Sequence, residues 1–233
     1  MSTDLTANLE NVRRRIANAA TRAGRNVEEV KLVAVSKTYP PEAVRAAIAG
    51  GVTIFGENKV QEAGEKIDAL GRDAAEWHLI GHLQSNKARR AVELFDVIES
   101  VDSLELATRL ERICDETGRG SLSVFVQVDL AGELTKSGVQ ETDLDVLAEY
   151  LRTCKRLRFD GLMALPPYFE DAEMTRPFFT RLRVLRDRLA ASGSFAGSGH
   201  GELSMGMSHD LEVAVEEGAT VVRVGTAIFG ARG

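Results

Sequence analysis

Four short β-rich runs lie between residues 32 and 100, and they decide the fold: LVAVS (32–36), VTIFG (52–56), EWHLI (76–80) and DVIES (96–100). A longer stretch with apolar residues at helical spacing separates each run from the next. The alternation continues in four further runs, LSVFVQVDL (122–130), RFDGLMAL (158–165), ELSMG (202–206) and TVVRVG (220–225). Short strands that alternate with helices are typical of parallel α/β proteins.

Helical patterns occupy the gaps between these runs. We predict helices at 41–50, 58–70, 86–94, 103–117, 142–155, 175–191 and 208–217. A further amphipathic helix is predicted at the N terminus, ending near Gly24, where four apolar residues recur at helical spacing: Leu5, Leu9, Val12 and Ile16.

Eight strand–helix units in 233 residues predict a single (β/α)8 TIM barrel over residues 1–233, because this fold uses about 250 residues. Only TAIFGARG follows the eighth strand, so we expect the extra N-terminal helix to take the place of the missing last helix. A doubly wound open sheet is the alternative. Its dinucleotide-binding members carry GxGxxG after the first strand, whereas KTYPPEAV follows here.

Charge and composition exclude some classes of partner. The chain has 29 Lys+Arg and 35 Asp+Glu, a net charge of −6 and a pI of about 5.4, so it has no overall positive field to collect nucleic acid or anionic lipid. Cys114 and Cys154 belong to no CxxC motif and are expected to be reduced thiols. The N-terminal segment lacks the apolar core of a signal peptide, and we expect a cytoplasmic protein without a membrane span.

The carboxyl ends of the strands form the active face of a barrel, and Lys37 follows the first strand. A lysine held at an apolar barrel mouth is partly desolvated, which lowers the pKa of its amine and makes it a nucleophile for Schiff-base formation. The alternative is an ordinary exposed lysine at a strand end.

A phosphate site is predicted where strands seven and eight end, in ELSMGMSHD and VVRVGTAIFG. Gly206 and Gly225 permit close approach of a ligand to the backbone, and hydroxyls come from Ser204, Ser208 and Thr226. Ser208 is alternatively the N-cap of the next helix. An amine that faces a phosphate-binding loop indicates a phosphorylated aldehyde as the ligand.

Arg223 stands inside the apolar strand VVRVG, where a buried charge needs an acceptor. Strand alternation puts it on the face of Val221 and Gly225, toward the barrel interior. Its acceptor is either a structural carboxylate or a ring nitrogen or phosphate of a ligand. His78 and His82 lie in a strand and its exit loop rather than on one helix face, so no metal site is predicted.

Six segments in the same order span nearly the whole chain: VAVSKTYP, FGENKVQE, WHLIGHLQSNK, FVQVDLAGELTKSG, GLMALPP and LSMGMSHDLEVAVEEGATVVRVGTAIFGAR. With these segments the chain resembles the pyridoxal phosphate homeostasis protein family. The resemblance implies an alanine-racemase-type barrel without the β-domain, holding pyridoxal 5′-phosphate (PLP) as a Schiff base on Lys37. It also implies that Arg223 faces the pyridine nitrogen, that Asn58 lines the pocket, and that five residues surround the phosphate: Ser204, Met205, Gly206, Gly225 and Thr226.

These assignments predict a protein that binds PLP and buffers or delivers it without robust catalysis. A cationic partner weakens the pyridine ring as an electron sink, and the eight units leave no chain for the second domain that gives related racemases a tyrosine. Tyr39 and Tyr168 follow strands and are the tyrosines expected within reach of the mouth. We expect a monomer that delivers PLP to apo-enzymes, with Lys136 as a secondary acceptor. The alternatives are a PLP-dependent amino-acid racemase or decarboxylase and a cofactor-free lyase that uses Lys37 on a sugar phosphate.

Overall fold

Eight parallel strands close into a barrel in sequence order, as the sequence predicts. The structure, a computed structural model, describes residues 5–132, 137–196 and 199–230. The strands are β1 (Lys31–Val35), β2 (Ile54–Glu57), β3 (Glu76–Leu79), β4 (Val97–Val101), β5 (Leu122–Gln127), β6 (Leu157–Met163), β7 (Glu202–Ser204) and β8 (Val221–Val224).

Helices surround the barrel at the positions that the apolar periodicity predicts. They are α1 (Leu5–Arg22), α2 (Pro41–Ala49), α3 (Val60–Leu70), α4 (Ala88–Leu94), α5 (Leu104–Thr117), α6 (Leu144–Thr153), α7 (Arg176–Ala191), α8 (Leu211–Glu216) and α9 (Thr226–Phe229). The short α9 was not predicted. Across the described ranges, no helix combines the length and apolar character needed to cross a membrane.

The register places the carboxyl ends of three strands beside one another. β1 lies between β2 and β8, with Val35 opposite Gly56 and Ala34 opposite Val224. The residues that follow these strands therefore meet at one part of the barrel mouth.

Apolar residues fill the barrel on both sides of the sheet, as expected for a parallel sheet covered by helices. One apolar cluster lies inside the barrel: Val33, Val97, Phe125, Met163 and Val221. A larger cluster lies between the strands and the helices, where the rings of Phe55 and Trp77 are 5.6 Å apart.

The N-terminal helix α1 closes the helical layer between α8 and α2, where the eighth helix of a barrel would lie. Arg15 forms an ion pair with Glu212 of α8 at 2.6 Å, and Arg13 donates to the carbonyl of Gly51 after α2 at 2.9 Å. The prediction that α1 replaces the last helix is therefore confirmed, and Arg13 and Arg15 of α1 join it to the neighbouring elements.

Both cysteines are free thiols. Burial raises the pKa of Cys114 and of Cys154 to about 11. Neither thiol is thereby activated as a nucleophile near neutral pH.

Candidate functional site

The candidate site lies where β8, β1 and β2 end side by side. Lys37 follows β1 and is half-buried, and Asn58 follows β2. Gly225 and Thr226 follow β8. The structure thus brings together the predicted amine, one predicted pocket residue and one of the two predicted phosphate loops.

The turn that carries Lys37 is strained. The amide of Tyr39 donates to the carbonyl of Ser36 at 3.1 Å, which closes a tight turn around Lys37 and Thr38. Thr38 has a φ of 70°, and it is the one residue other than glycine with positive φ in the described ranges. A β-branched residue in this region costs on the order of 1–3 kcal/mol and persists only where its surroundings impose it.

Asn58 has an unused acceptor in a closely packed setting. Its side-chain Oδ1 is buried and has no hydrogen-bond partner in the described part of the chain. A Cβ on Gly81 would lie 2.3 Å from the carbonyl oxygen of Asn58, so the exit loops of β2 and β3 are packed backbone to backbone. An orphaned amide oxygen is the feature expected of a side chain that meets a ligand.

The two predicted phosphate loops contact each other through Ser208. Its Oγ accepts the backbone N–H groups of Gly225 and Ala227, both at 3.3 Å. Helix α8 begins at Leu211, and Asp210 accepts the amide of Met207 at 2.6 Å, so Ser208 does not cap that helix. Its hydroxyl instead occupies the position where backbone N–H groups converge, which is the geometry that receives a phosphate oxygen.

Gly206 is required by the shape of the loop after β7. Its φ is 90°, and a Cβ at this position would lie 2.4 Å from the Cβ of Ala214 in α8. The backbone here accordingly packs onto α8 with no room for a side chain.

Replacing Gly206 by alanine is expected to destabilise the fold by about 2–4 kcal/mol, because left-handed strain and overpacking add. Gly193→Ala is a matched control, since Gly193 has a φ of 66° with open space around the position of a Cβ. Urea unfolding checks the prediction: we expect Gly193→Ala to lose only about 1 kcal/mol. Equal losses in the two variants would contradict the packing argument.

Arg223 lies inside the barrel and is almost completely buried. Its guanidinium donates to Ser204 Oγ at 2.5 Å and to the carbonyl of Ala164 at 2.9 Å, and it lies 3.8 Å from the Glu99 carboxylate. Glu99 is therefore the structural carboxylate that the sequence indicated as one of two possible partners of Arg223. Its five N–H donors exceed these contacts, so a ligand atom remains compatible with the same guanidinium.

Polar groups of Ser204 and Met205 are engaged by other parts of the barrel. The Ser204 hydroxyl donates to Glu99 inside the barrel, and the Met205 amide donates to the carbonyl of Val221 at 3.1 Å. Their contribution to a phosphate site, implied by the resemblance, stays a prediction. Three residues of the loops favour an anion: Gly206 brings the backbone close to α8, and the backbone N–H of Gly225 converges with that of Ala227 on the Ser208 hydroxyl.

A charged group that was not predicted lies behind Arg223. His78 donates from Nδ1 to Glu99 at 2.6 Å and from Nε2 to Glu76 at 2.9 Å. Burial alone would lower the pKa of His78, but the hydrogen bonds to Glu76 and Glu99 raise it to about 9. Burial raises the pKa of Glu99, but His78 and Arg223 hold it below its ordinary value. Two cations therefore flank one buried carboxylate.

This arrangement predicts a loss of stability at alkaline pH. The folded-state pKa of His78 lies above its unfolded value, so its contribution of roughly 3 kcal/mol is complete below about pH 6.5 and disappears as pH rises toward 9. Urea unfolding of the wild type and of His78→Gln over this range measures it. We expect the difference between the two proteins to shrink with rising pH; a constant difference would contradict the charged state of His78.

One signal in the sequence points toward Glu99. In VIESV, Glu99 lies two residues after Val97 and therefore on the same face of the strand, and the side chain of Val97 belongs to the cluster inside the barrel. Arg223 has the same relation to Val221. Opposite charges at inward positions of two strands are expected to meet across a barrel.

Both tyrosines that were expected at the mouth contact other residues. The hydroxyl of Tyr39 donates to the carbonyl of Gly230 at 2.7 Å, and its ring stacks on Phe229. Tyr168 is 75% exposed and its ring lies 5.2 Å from that of His209. Lys136 lies outside the described residues.

A cavity of about 1070 Å³ opens at the opposite, amino-terminal end of the barrel. Several of its charged side chains pair with one another, as in Lys31–Glu202 and Arg158–Asp160. We place the functional site at the carboxyl end because barrel enzymes carry their chemistry there, and because the orphaned Asn58 oxygen and the strained turn at Lys37 lie there.

Comparisons with known proteins agree with this architecture. The family model "Alanine racemase, N-terminal domain" matches residues 7–233. The chain is 42% identical to the pyridoxal phosphate homeostasis protein of Aquifex aeolicus, over 96% of both chains. It is 43% identical to that of Escherichia coli, over 98% of this chain and 97% of the relative.

Solved structures give the same relationship. PipY of Synechococcus elongatus, solved with PLP bound, superposes with a TM-score of 0.80 at 42% identity, over 92% of this chain and all of PipY (100%). The alanine racemase of Clostridium difficile shares the fold, with a TM-score of 0.74 at 18% identity, and this chain covers 56% of its length.

Proposed function

The chain belongs to the pyridoxal phosphate homeostasis proteins, and from this premise we propose that it binds PLP covalently and reversibly on Lys37 and takes part in PLP homeostasis. The observation that carries the proposal is the register of β8, β1 and β2, which sets a lysine between a phosphate-type loop and an orphaned polar atom.

The residues at the mouth fit this cofactor. PLP would supply an aldehyde, and Lys37 is the residue whose amine would hold it covalently; one water, made of the aldehyde oxygen and the two amine protons, would be released on attachment and consumed on release. The backbone N–H groups of Gly225 and Ala227, now on Ser208, are donors suited to a phosphate. We assign Thr226, Gly206, Met205 and Ser204 to the same end of the cofactor. The orphaned oxygen of Asn58 lines the pocket.

Arg223 governs what the bound cofactor does. We propose that its guanidinium faces the pyridine nitrogen, and a cation there disfavours protonation of the ring. An unprotonated ring is a weak electron sink, and carbanion chemistry at a bound amino acid is correspondingly slow. The chain thus holds PLP without using it for robust catalysis.

The tyrosines support the same conclusion. The Tyr39 hydroxyl is engaged with the carbonyl of Gly230, and Tyr168 is exposed against His209. We propose a monomeric cytoplasmic carrier that delivers PLP to apo-enzymes that require it.

Exchange of the Cα hydrogen tests this function against the racemase alternative. The PLP-loaded protein is incubated with single L-amino acids in deuterium oxide, and free PLP at equal concentration is the control. We expect Cα exchange no faster than with free PLP, together with transfer of PLP to an added apo-enzyme. Rapid exchange, or inversion to the D-amino acid, would establish an enzyme.

A further inference from the structure

A buried ion cluster lies directly behind the turn that carries Lys37. Lys66 of α3 is 3% exposed, and its Nζ lies 2.6 Å from Glu57 Oε1 and 2.9 Å from Glu62 Oε1. Glu57 is the last residue of β2 and is completely buried. A lysine buried on a helix with two carboxylates is unusual and needs an explanation.

Hydrogen bonds from the cluster hold the backbone on both sides of Lys37. On the side of Ser36, Lys66 Nζ donates to the Ser36 carbonyl at 2.6 Å, and the Ser36 hydroxyl donates to Glu57 Oε1 at 2.6 Å. On the other side, the amide of Thr38 donates to Glu62 Oε1. Three side chains therefore fix the residues before and after Lys37.

The positive φ of Thr38 indicates that these hydrogen bonds impose the conformation of the backbone. Its φ of 70° is unfavourable for a threonine, and the hydrogen bond to Glu62 is made by its own amide. The cluster thus holds a conformation that the local sequence would not select.

The charge of Lys66 favours the ionised forms of Glu57 and Glu62, which strengthens the hydrogen bonds of the cluster. Burial raises the pKa of Glu57, while Lys66 and Ser36 oppose that rise. Burial acts in the same direction on Glu62, but Lys66 and the Thr38 amide bring its pKa below the ordinary value. Glu57 Oε2 has no hydrogen-bond partner in the described ranges, so the carboxylate is aimed by its other oxygen alone.

We infer that Lys66, Glu57 and Glu62 are positioning residues that aim the Lys37 amine at the aldehyde of the ligand. The inference rests on the proposed function, since it concerns the same lysine. It assigns to the FGENKVQE segment a role in setting the rate of covalent attachment. Misplacement of a reacting group by about 1 Å slows a reaction on the order of 100-fold.

Two variants remove the hydrogen bonds to Ser36 and Thr38 in different ways. Glu62→Ala removes the acceptor of the Thr38 amide from a partly exposed position. The double variant Glu57→Gln with Lys66→Met removes both buried charges together, which avoids leaving one of them unpaired. Glu65→Ala is the matched control, because Glu65 is an exposed glutamate on the same helix.

The rate of attachment is followed by visible absorption after mixing with PLP, with borohydride trapping at Lys37. Pyridoxine 5′-phosphate, which has a hydroxymethyl group in place of the aldehyde, measures the affinity of the pocket without covalent reaction. We expect attachment to slow at least about tenfold in both variants, with pyridoxine 5′-phosphate affinity within about twofold of the wild type. Glu65→Ala is expected to match the wild type in both measurements.

Each other outcome has a definite meaning. Wild-type attachment rates in folded Glu62→Ala and in the double variant would overturn the positioning role. Equal losses of attachment rate and pyridoxine 5′-phosphate affinity would also overturn it, because they indicate a general structural role. If the wild type itself forms no bond at Lys37, the proposed function fails instead.

Discussion

Lys37→Ala is expected to abolish the visible absorption of bound PLP and to weaken PLP binding at least about 100-fold, or roughly 2.7 kcal/mol. The physical reason is that the variant lacks the amine and retains only the contacts to the phosphate and the ring. Absorption titration and equilibrium dialysis measure the two effects.

Lys87→Ala is the control for this substitution, because Lys87 also follows a strand, β3, at the same end of the barrel. It is expected to bind PLP with wild-type absorption. A Lys37→Ala protein that still forms the absorbing species would show that another amine carries the cofactor.

Glu99→Gln is expected to destabilise the folded protein by about 3–5 kcal/mol, because it leaves His78 and Arg223 as buried cations without their shared anion. Thermal and urea unfolding measure the change, and Glu105→Gln, an exposed glutamate of α5, is the control. The double variant His78→Gln with Glu99→Gln is expected to recover part of the loss, since His78 then no longer places a buried charge beside the position of the lost carboxylate.

A loss below about 1 kcal/mol in Glu99→Gln would contradict this picture of the barrel interior, because that is the range of exposed ion pairs. The same network fixes Arg223 through the Ser204 hydroxyl. It therefore determines where the guanidinium lies with respect to any ligand at the mouth.

The barrel itself was predictable because each strand run and helix carries its own periodicity. The ends of β5, β6 and β7 were not, since each of these strands stops before its predicted end. β7 stops at Ser204, since Gly206 turns the chain out of the sheet with a φ of 90°. β5 stops at Gln127, and Val128 makes only an isolated bridge to Val139.

The site was predictable only in part, for a related reason. Lys37 and the loops after β7 and β8 follow from the rule that function lies at strand ends. Lys66 with Glu62 is an i,i+4 pair, which in a sequence indicates an ordinary solvated helix face. Only the packing of α3 against the end of β2 buries it, and local sequence carries no sign of that.

The ion network of Glu99 likewise depends on closure of the barrel. β4 and β8 are far apart in sequence and do not pair with each other, yet their inward charges lie 3.8 Å apart. The resemblance to a family correctly indicated PLP but gave no reason for His78 or Glu99.

Reduction of the PLP-loaded protein with borohydride, followed by digestion and mapping of the modified lysine, tests the central claim most directly. We expect about one cofactor per chain, attached in the peptide that contains Lys37, and little modification elsewhere. Modification spread over surface lysines, with Lys37 unmodified, would contradict it.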